Sequence, residues 1–356
     1  MKRHVIVTLL TVVAALAVAT TAYGLWRGGS SAGSRVDAAA NGSVATPAGS
    51  STSTTATPTT ATAVPTTTTT TTTATPTTSA SSTTATTTTT TTAPTWVTTT
   101  VSINYSGGAR SYLLSRPATT STSKLPVLIE LHGFGATPQE EEDRSGFLDV
   151  TGPAILVYPA GIDGSWNAGF CCHEAQALGI DDVGFIKTVV SQVLATQPDT
   201  APNRVYLVGY SNGGKMALRM ACEAPMLFAG VASYGAVNAK PCNNPSAASL
   251  LELAATADPE LTIGPDGPPQ VENGYTEPTV VAQVAQYRQA DACNDVTTAT
   301  TQGTLTTTTW TECASGREVQ LGLYQGGDHG WPDGDATTPS AAQVMWQFFQ
   351  SLSTSS

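Results

Sequence analysis

Charge is scarce in this chain. Only 12% of its 356 residues are charged, about half the roughly 25% usual in soluble globular proteins. The few charges are also unbalanced, with 15 Lys+Arg against 26 Asp+Glu and a net charge of −11. Nothing supplies the basic face that phosphate neutralisation requires, which excludes a nucleic-acid partner and a polybasic membrane-surface protein. Histidine is scarce too, with 4 in the whole chain, and this narrows the search for a catalytic base. No cysteine precedes Cys171, so a lipid-modified N-terminal cysteine is excluded. The 6 cysteines have no zinc-type spacing with histidines, and no metal site is expected.

The deficit has a location. Between Asp37 and Arg110 no charged residue occurs, and from Ser51 to Thr95 every residue except Val64 is Thr, Ser, Ala or Pro. Such sequence has no large apolar side chains to offset the entropy of ordering it. Residues 27–95 are therefore read as a disordered Thr-rich linker, a stalk reaching on the order of 100 Å. Stalks of this composition are commonly O-glycosylated in exported proteins. Ahead of it, Lys2 and Arg3 lead into the uncharged stretch Val5 to Trp26. Residues 1–26 are either a signal peptide, with a small-x-small site at Ala17-Val18-Ala19, or a membrane anchor long enough for a core of about 30 Å. Both readings place the rest of the chain outside the cell, secreted or tethered through residues 5–26.

From Trp96 onward the chain carries 11 Lys+Arg and 25 Asp+Glu, a net charge of −14 over 261 residues. All the cysteines fall here, and an even number in an exported protein favours disulfides. Cys293 and Cys313 flank a Thr-rich β-excursion and are expected to pair. Cys171 and Cys172 either bridge each other or serve two partners. Residues 96–356 read as one α/β domain. Val97 to Ile103 and Tyr112 to Leu114 suggest a hairpin turned at Ser106-Gly107-Gly108. Buried-strand runs follow at Val127 to Leu131, Ile155 to Tyr158 and Val205 to Val208, with further strands near Phe228 to Tyr234, Leu250 to Ala255 and Val319 to Tyr324. An apolar helical stripe runs through Phe185, Ile186, Val189, Val190, Val193 and Leu194. Further helices are expected from Gly214 to Cys222 and around Val344, Met345, Phe348, Phe349 and Leu352. This alternation predicts a mostly parallel central sheet with helices on both faces. Sites in such sheets lie at the carboxyl ends of the strands.

One strand end carries Gly209-Tyr210-Ser211-Asn212-Gly213-Gly214, a G-x-S-x-G between a strand and a helix. That context fits a nucleophile elbow, in which a tight turn projects the serine hydroxyl above the sheet. A serine hydroxyl needs a positioned base, for which histidine is the usual choice. His4 lies in the leader, and His132 and His173 precede the elbow, which leaves His329 in Gly326-Gly327-Asp328-His329-Gly330-Trp331-Pro332. A carboxylate must then orient the imidazole. Asp258, in Thr256-Ala257-Asp258-Pro259, has the expected position; Asp266, in Gly264-Pro265-Asp266-Gly267, is its rival. Oxyanion donors are expected at the backbone amides of Asn212 and Phe134. His132 is read as a brace for the Phe134 loop. Trp331 and Trp166 are candidates for lining a substrate pocket, with loop packing as the alternative. Asp181 and Asp182 are placed to cap the Phe185 helix.

Together, Leu131-His132-Gly133, Ser165-Trp166-Asn167-Ala168-Gly169, Cys171-Cys172, Asp181-Asp182-Val183-Gly184-Phe185, the elbow, Thr256-Ala257-Asp258-Pro259 and His329-Gly330-Trp331-Pro332 resemble a known group. It is the exported polyhydroxybutyrate depolymerase and feruloyl esterase group of the α/β-hydrolases, and the resemblance covers nearly all of the chain after the stalk. It implies an α/β-hydrolase fold, Ser211, Asp258 and His329 as a triad, no cofactor, and a polymeric ester substrate or its fragments: a polyhydroxyalkanoate, or feruloyl or acetyl esters of plant polysaccharide. One departure stands out, because the acid loop of the group usually follows a His-Gly pair and here follows Ala254-Ala255. Two other functions would use the same scaffold: acyl transfer to a cell-envelope acceptor, and a non-catalytic surface module that only binds.

Overall fold

The continuous apolar runs become the centre of a ten-stranded sheet. The computed structural model describes residues 94–354 except 120, 244, 246, 247 and 296. The leader expected at 1–26 and nearly all of the linker expected at 27–95 lie outside the described residues.

In chain order, β1 (Trp96–Tyr105) and β2 (Gly108–Pro117) form the expected hairpin. Then come β3 (Leu125–Leu131), α1 (Pro138–Ser145), α2 (Phe147–Val150), β4 (Ile155–Pro159), α3 (His173–Ala177), α4 (Asp182–Thr196) and β5 (Thr200–Tyr210). The second half holds α5 (Asn212–Glu223), β6 (Gly230–Tyr234), β7 (Ser249–Ala255), a short ribbon of β8 (Val271–Glu272) and β9 (Tyr275–Thr276), and α6 (Val280–Ala290). It ends with β10 (Thr297–Gln302), β11 (Leu305–Trp310), β12 (Val319–Tyr324) and α7 (Ala341–Thr354). The sheet order is β1-β2-β4-β3-β5-β6-β7-β12-β11-β10. From β4 to β12 all neighbours are parallel, and antiparallel pairs close both sides.

Strands β3, β4, β6 and β7 are buried along their whole length, because a parallel strand covered on both faces has no solvent side. Alternate residues feed two cores. Val127, Ile129 and Leu131 pack with Phe185, Val189, Met216 and Tyr287 from α4, α5 and α6. Leu128, Leu156 and Val208 pack on the other face with Phe147, Met345, Phe348 and Phe349 from α2 and α7. The outer strand β10 is exposed throughout, and four of its six residues are threonine.

Three disulfides brace the domain. Cys293 pairs with Cys313 across the β10–β11 excursion as expected, Cys222 with Cys242, and Cys171 with its neighbour Cys172. Helix α1 has no counterpart among the sequence expectations. Its segment is mostly polar, and a capping box between Thr137 and Glu140 with Pro138 in the first turn starts it instead of an apolar stripe.

Candidate active site

Between the last residue of β5 and the first of α5 the chain reverses at Ser211, with φ 53° and ψ −119°. A non-glycine residue resists that conformation, and here the surroundings impose it. The Ser211 N–H donates to the Tyr234 carbonyl at 2.9 Å, and the Ser211 carbonyl accepts the Lys215 N–H at 2.9 Å. The flanking glycines are required by close approach. A β-carbon on Gly209 would run into the Gly213 carbonyl, and one on Gly213 into the carbonyls of Leu131 and His132.

The loops after β7 and β12 bring the two partners to this turn. His329 Nε2 lies 2.8 Å from Ser211 Oγ, and His329 Nδ1 lies 2.8 Å from Asp258 Oδ2. The other Asp258 oxygen accepts the Glu260 N–H at 2.8 Å, so this fully buried carboxylate is fixed at both ends. The rival Asp266 is exposed on its loop and does not line the cleft around Ser211. Two tyrosine hydroxyls hold the histidine loop: Tyr210 donates to the His329 carbonyl at 3.0 Å, and Tyr234 to the Gly330 carbonyl at 2.8 Å. Gly235, at φ 66°, leaves room for the ring, since a β-carbon there would sit 3.1 Å from His329 Cε1. Burial opposes a charge on His329, but the bond to Asp258 and its charge, with Glu260 adding, outweigh it and raise the pKa above the ordinary histidine value.

The loop after β3 runs beside this turn, where a β-carbon on Gly133 would lie 3.7 Å from Ser211 Cβ. Among the described residues neither the Phe134 nor the Asn212 backbone amide has an acceptor, so both are available as donors. His132 braces the loop. Its Nδ1 faces the Gly133 carbonyl at 2.8 Å and its Nε2 accepts the Gly161 N–H at 3.0 Å. Burial lowers its pKa, and an Nε2 that accepts the Gly161 N–H carries no proton.

Trp166 is not a pocket residue. Its side chain is wholly buried, and its indole N–H donates to the His132 carbonyl at 3.0 Å. The Asn212 side chain clasps the Trp166 backbone, accepting its N–H at 2.8 Å and donating to its carbonyl at 3.0 Å. Trp331 also departs from the pocket expectation, because it packs against Phe147, Tyr210 and Tyr234 in the core behind the histidine. An indole this close to the site stabilises the loops that carry it.

Comparison with known proteins now bears on these residues. Residues 183–352 match the model of the dienelactone hydrolase family. The chain is 31% identical over 281 residues to "Putative esterase NocK" of Nocardia uniformis subsp. tsuyamanensis, covering 72% of this chain and 80% of that protein. The chain belongs to the dienelactone hydrolase family. It is also 25% identical over 270 residues to feruloyl esterase D of Neurospora crassa, covering 70% of this chain and 84% of the relative. The structure of an acetyl xylan esterase from Aspergillus awamori shares the fold, with a TM-score of 0.50 and 16% identity over 68% of this chain and 94% of that one. The chain is thus an α/β-hydrolase that acts on ester bonds.

This dienelactone hydrolase family member has a cleft of about 310 Å³ over Ser211. Phe134, Cys171, Cys172 and His173 form one wall, with the Phe134 and His173 rings stacked 3.3 Å apart. Lys215, Glu260, Glu272 and His329 line the rest. Lys215 is tied to the buried Glu277 by an ion pair. Glu272 is carried by the β8–β9 ribbon, which docks through Asn273 on the Phe170 carbonyl at 2.6 Å and through Tyr275 stacked on Phe170. Sequence reasoning missed Glu260, His173 and this ribbon. Of the acidic pair that opens α4, Asp181 caps the helix through the Gly184 N–H, as expected. Asp182 does something else: buried, it pairs with Arg110 at 2.9 Å and accepts the Asn167 N–H at 2.8 Å, fixing the segment after Trp166.

Proposed function

We propose that this protein is an exported serine esterase that works through an acyl-enzyme. Ser211 Oγ attacks the ester carbonyl while its proton passes to His329 Nε2. Asp258 holds the proton on Nδ1 and stabilises the imidazolium. The amides of Asn212 and Phe134 receive the developing oxyanion, a role in which one donor is worth about 3 kcal/mol. His329 then protonates the leaving alcohol, and water, deprotonated by the same imidazole, releases the acid and restores Ser211. No cofactor enters this sequence.

The observation that carries the reading is the unbroken chain from Asp258 through His329 to Ser211 at 2.8 Å per link, beneath a serine held in an unfavourable backbone conformation. Three cystine pairs support an oxidising compartment, and the leader at 1–26 with its stalk supports export. Relatives named for feruloyl and acetyl xylan esters support this substrate class, as does the motif resemblance to polyhydroxybutyrate depolymerases. A cleft near the lower end of small-molecule pocket sizes suits the acyl end of an ester, with a polymer or its fragment lying across the rim.

The test is an activity panel of a feruloyl ester, acetylated xylan and a short polyhydroxybutyrate, run on the native chain and on Ser211→Ala. Hydrolysis of at least one of these that disappears in Ser211→Ala supports the reading. Full activity in the variant overturns the mechanism, and a preference for transfer to added sugar acceptors over water overturns hydrolysis.

A further inference from the structure

We infer that Glu260 is a specificity-determining residue of this cleft: its exposed carboxylate beside His329 selects neutral esters over anionic ones and drives out the carboxylate product. The inference rests on the serine-esterase reading above.

Glu260 stands two residues after Asp258 and is anchored to it by its own backbone N–H. Its side chain, 62% exposed, places Oε2 3.3 Å from His329 Nε2, the nitrogen that also faces Ser211. While the imidazole is neutral and its Nδ1 proton is given to Asp258, Nε2 presents only a lone pair and offers Glu260 nothing. Once Nε2 takes the serine proton, that N–H lies between Ser211 Oγ and Glu260, and the attraction grows as the charge develops. Glu260 therefore acts through His329 and makes no bond to the substrate, which makes it a positioning residue.

The same charge faces the substrate. The titratable groups around the His329 ring are Asp258 and Glu260 from the loop after β7, Lys215 from α5 and Tyr210 from β5, with Glu272 of the ribbon and His173 of α3 also lining the cleft. Lys215 is the one Lys or Arg among the lining residues, and its ammonium is already matched by Glu277. Glu260 and Glu272 remain, and both are negative. An acyl group ending in a carboxylate enters against that field, and so does every carboxylate released by hydrolysis. In a water-exposed cleft such repulsion is modest at a few ångströms, on the order of a threefold effect.

The experiment compares Glu260→Gln with the native chain on two p-nitrophenyl esters of equal acyl length, one ending in a methyl group and one in a carboxylate. The neutral-to-anionic ratio of kcat/KM is expected to fall about threefold in Glu260→Gln, inhibition by the free neutral-chain acid to tighten similarly, and the acid limb of the pH profile to move to lower pH. Glu260→Asp, which keeps the charge, should restore the native ratio. Asp266→Asn, which removes one charge from an exposed loop off the cleft, should leave the ratio alone. Raising the salt concentration should compress the native ratio without any substitution, which keeps the test alive if a variant fails to fold. Unchanged selectivity and product inhibition in an active Glu260→Gln overturns the inference, as does an equal response to Asp266→Asn. Activity surviving in Ser211→Ala would instead overturn the underlying mechanism, a separate outcome.

Discussion

Replacing Asp258 by Asn exchanges one oxygen for an NH2 group and interrogates the whole relay. The native carboxylate accepts from His329 Nδ1 at 2.8 Å with one oxygen and from the Glu260 N–H at 2.8 Å with the other, and its side chain has no exposed surface. An asparagine that keeps its carbonyl toward Glu260 must turn its NH2 group toward Nδ1. The imidazole then moves its proton to Nε2, where it cannot accept from Ser211, and the imidazolium loses its counter-charge. In a serine triad this wrong tautomer costs about 10⁴ in kcat, near 5.5 kcal/mol of transition-state stabilisation. Because Asp258 lies behind the histidine and does not line the cleft, KM should change little. The assay is kcat and KM for a short-chain p-nitrophenyl ester, with thermal unfolding as a check on the fold and Asp266→Asn as the matched control. A kcat within tenfold of the native value in a folded Asp258→Asn would refute the assignment.

The pH profile should show kcat/KM falling as pH drops through a histidine pKa above the ordinary value, since only neutral His329 can take the serine proton. Burial alone would lower that pKa, and Asp258 with Glu260 reverses it, so a limb at or below the ordinary histidine value would contradict the geometry. Asn212→Ala should cost about 1–3 kcal/mol in urea unfolding, because it strands the buried backbone N–H of Trp166, whose carbonyl keeps only the Cys172 N–H; a loss under about 0.5 kcal/mol would show the clasp to be idle. Glu252, fully buried against Ser233 and Gln283, has a pKa held well above the usual carboxylate range by burial. The folded state thus keeps a proton that the unfolded chain releases near pH 4.3, and this group's contribution to stability falls as pH rises above that value. Glu252→Gln should flatten the decline by up to about 1.4 kcal/mol per pH unit, read from denaturant unfolding at pH 5 and 7; an unchanged slope would mean the carboxyl ionises in place.

The central strands were legible because burial on both faces leaves no polar alternation, as in Val127 to Leu131 and Ile155 to Tyr158. The elbow was legible from its place between a strand and a helix, and His329 from the shortage of other histidines. Asp258 and Asp266 were separable only in three dimensions, since both follow β7 within a dozen residues and differ in which one faces the imidazole. Helix α1 lacks an apolar stripe, so hydrophobic periodicity passes over it, although its Thr137 to Glu140 spacing carried a capping signal. The strands of the β8–β9 ribbon have two residues each, too few to show any period. For Trp166 and Trp331 the loop-packing alternative holds, and only the structure shows it, because sequence does not tell an indole that lines a cleft from one that supports its loops. Glu260 had no signature at all. An acidic residue in a loop matters here only because of its distance from His329 Nε2, and distance is what folding creates.

The most direct test of the central claim is covalent labelling with a fluorophosphonate, followed by peptide mapping by mass spectrometry. A single stoichiometric adduct is expected on the peptide containing Ser211, lost in Ser211→Ala and greatly slowed in His329→Ala, with ester hydrolysis disappearing in step. An enzyme that still hydrolyses esters while Ser211 stays unmodified, or one labelled on a different residue, would contradict the claim.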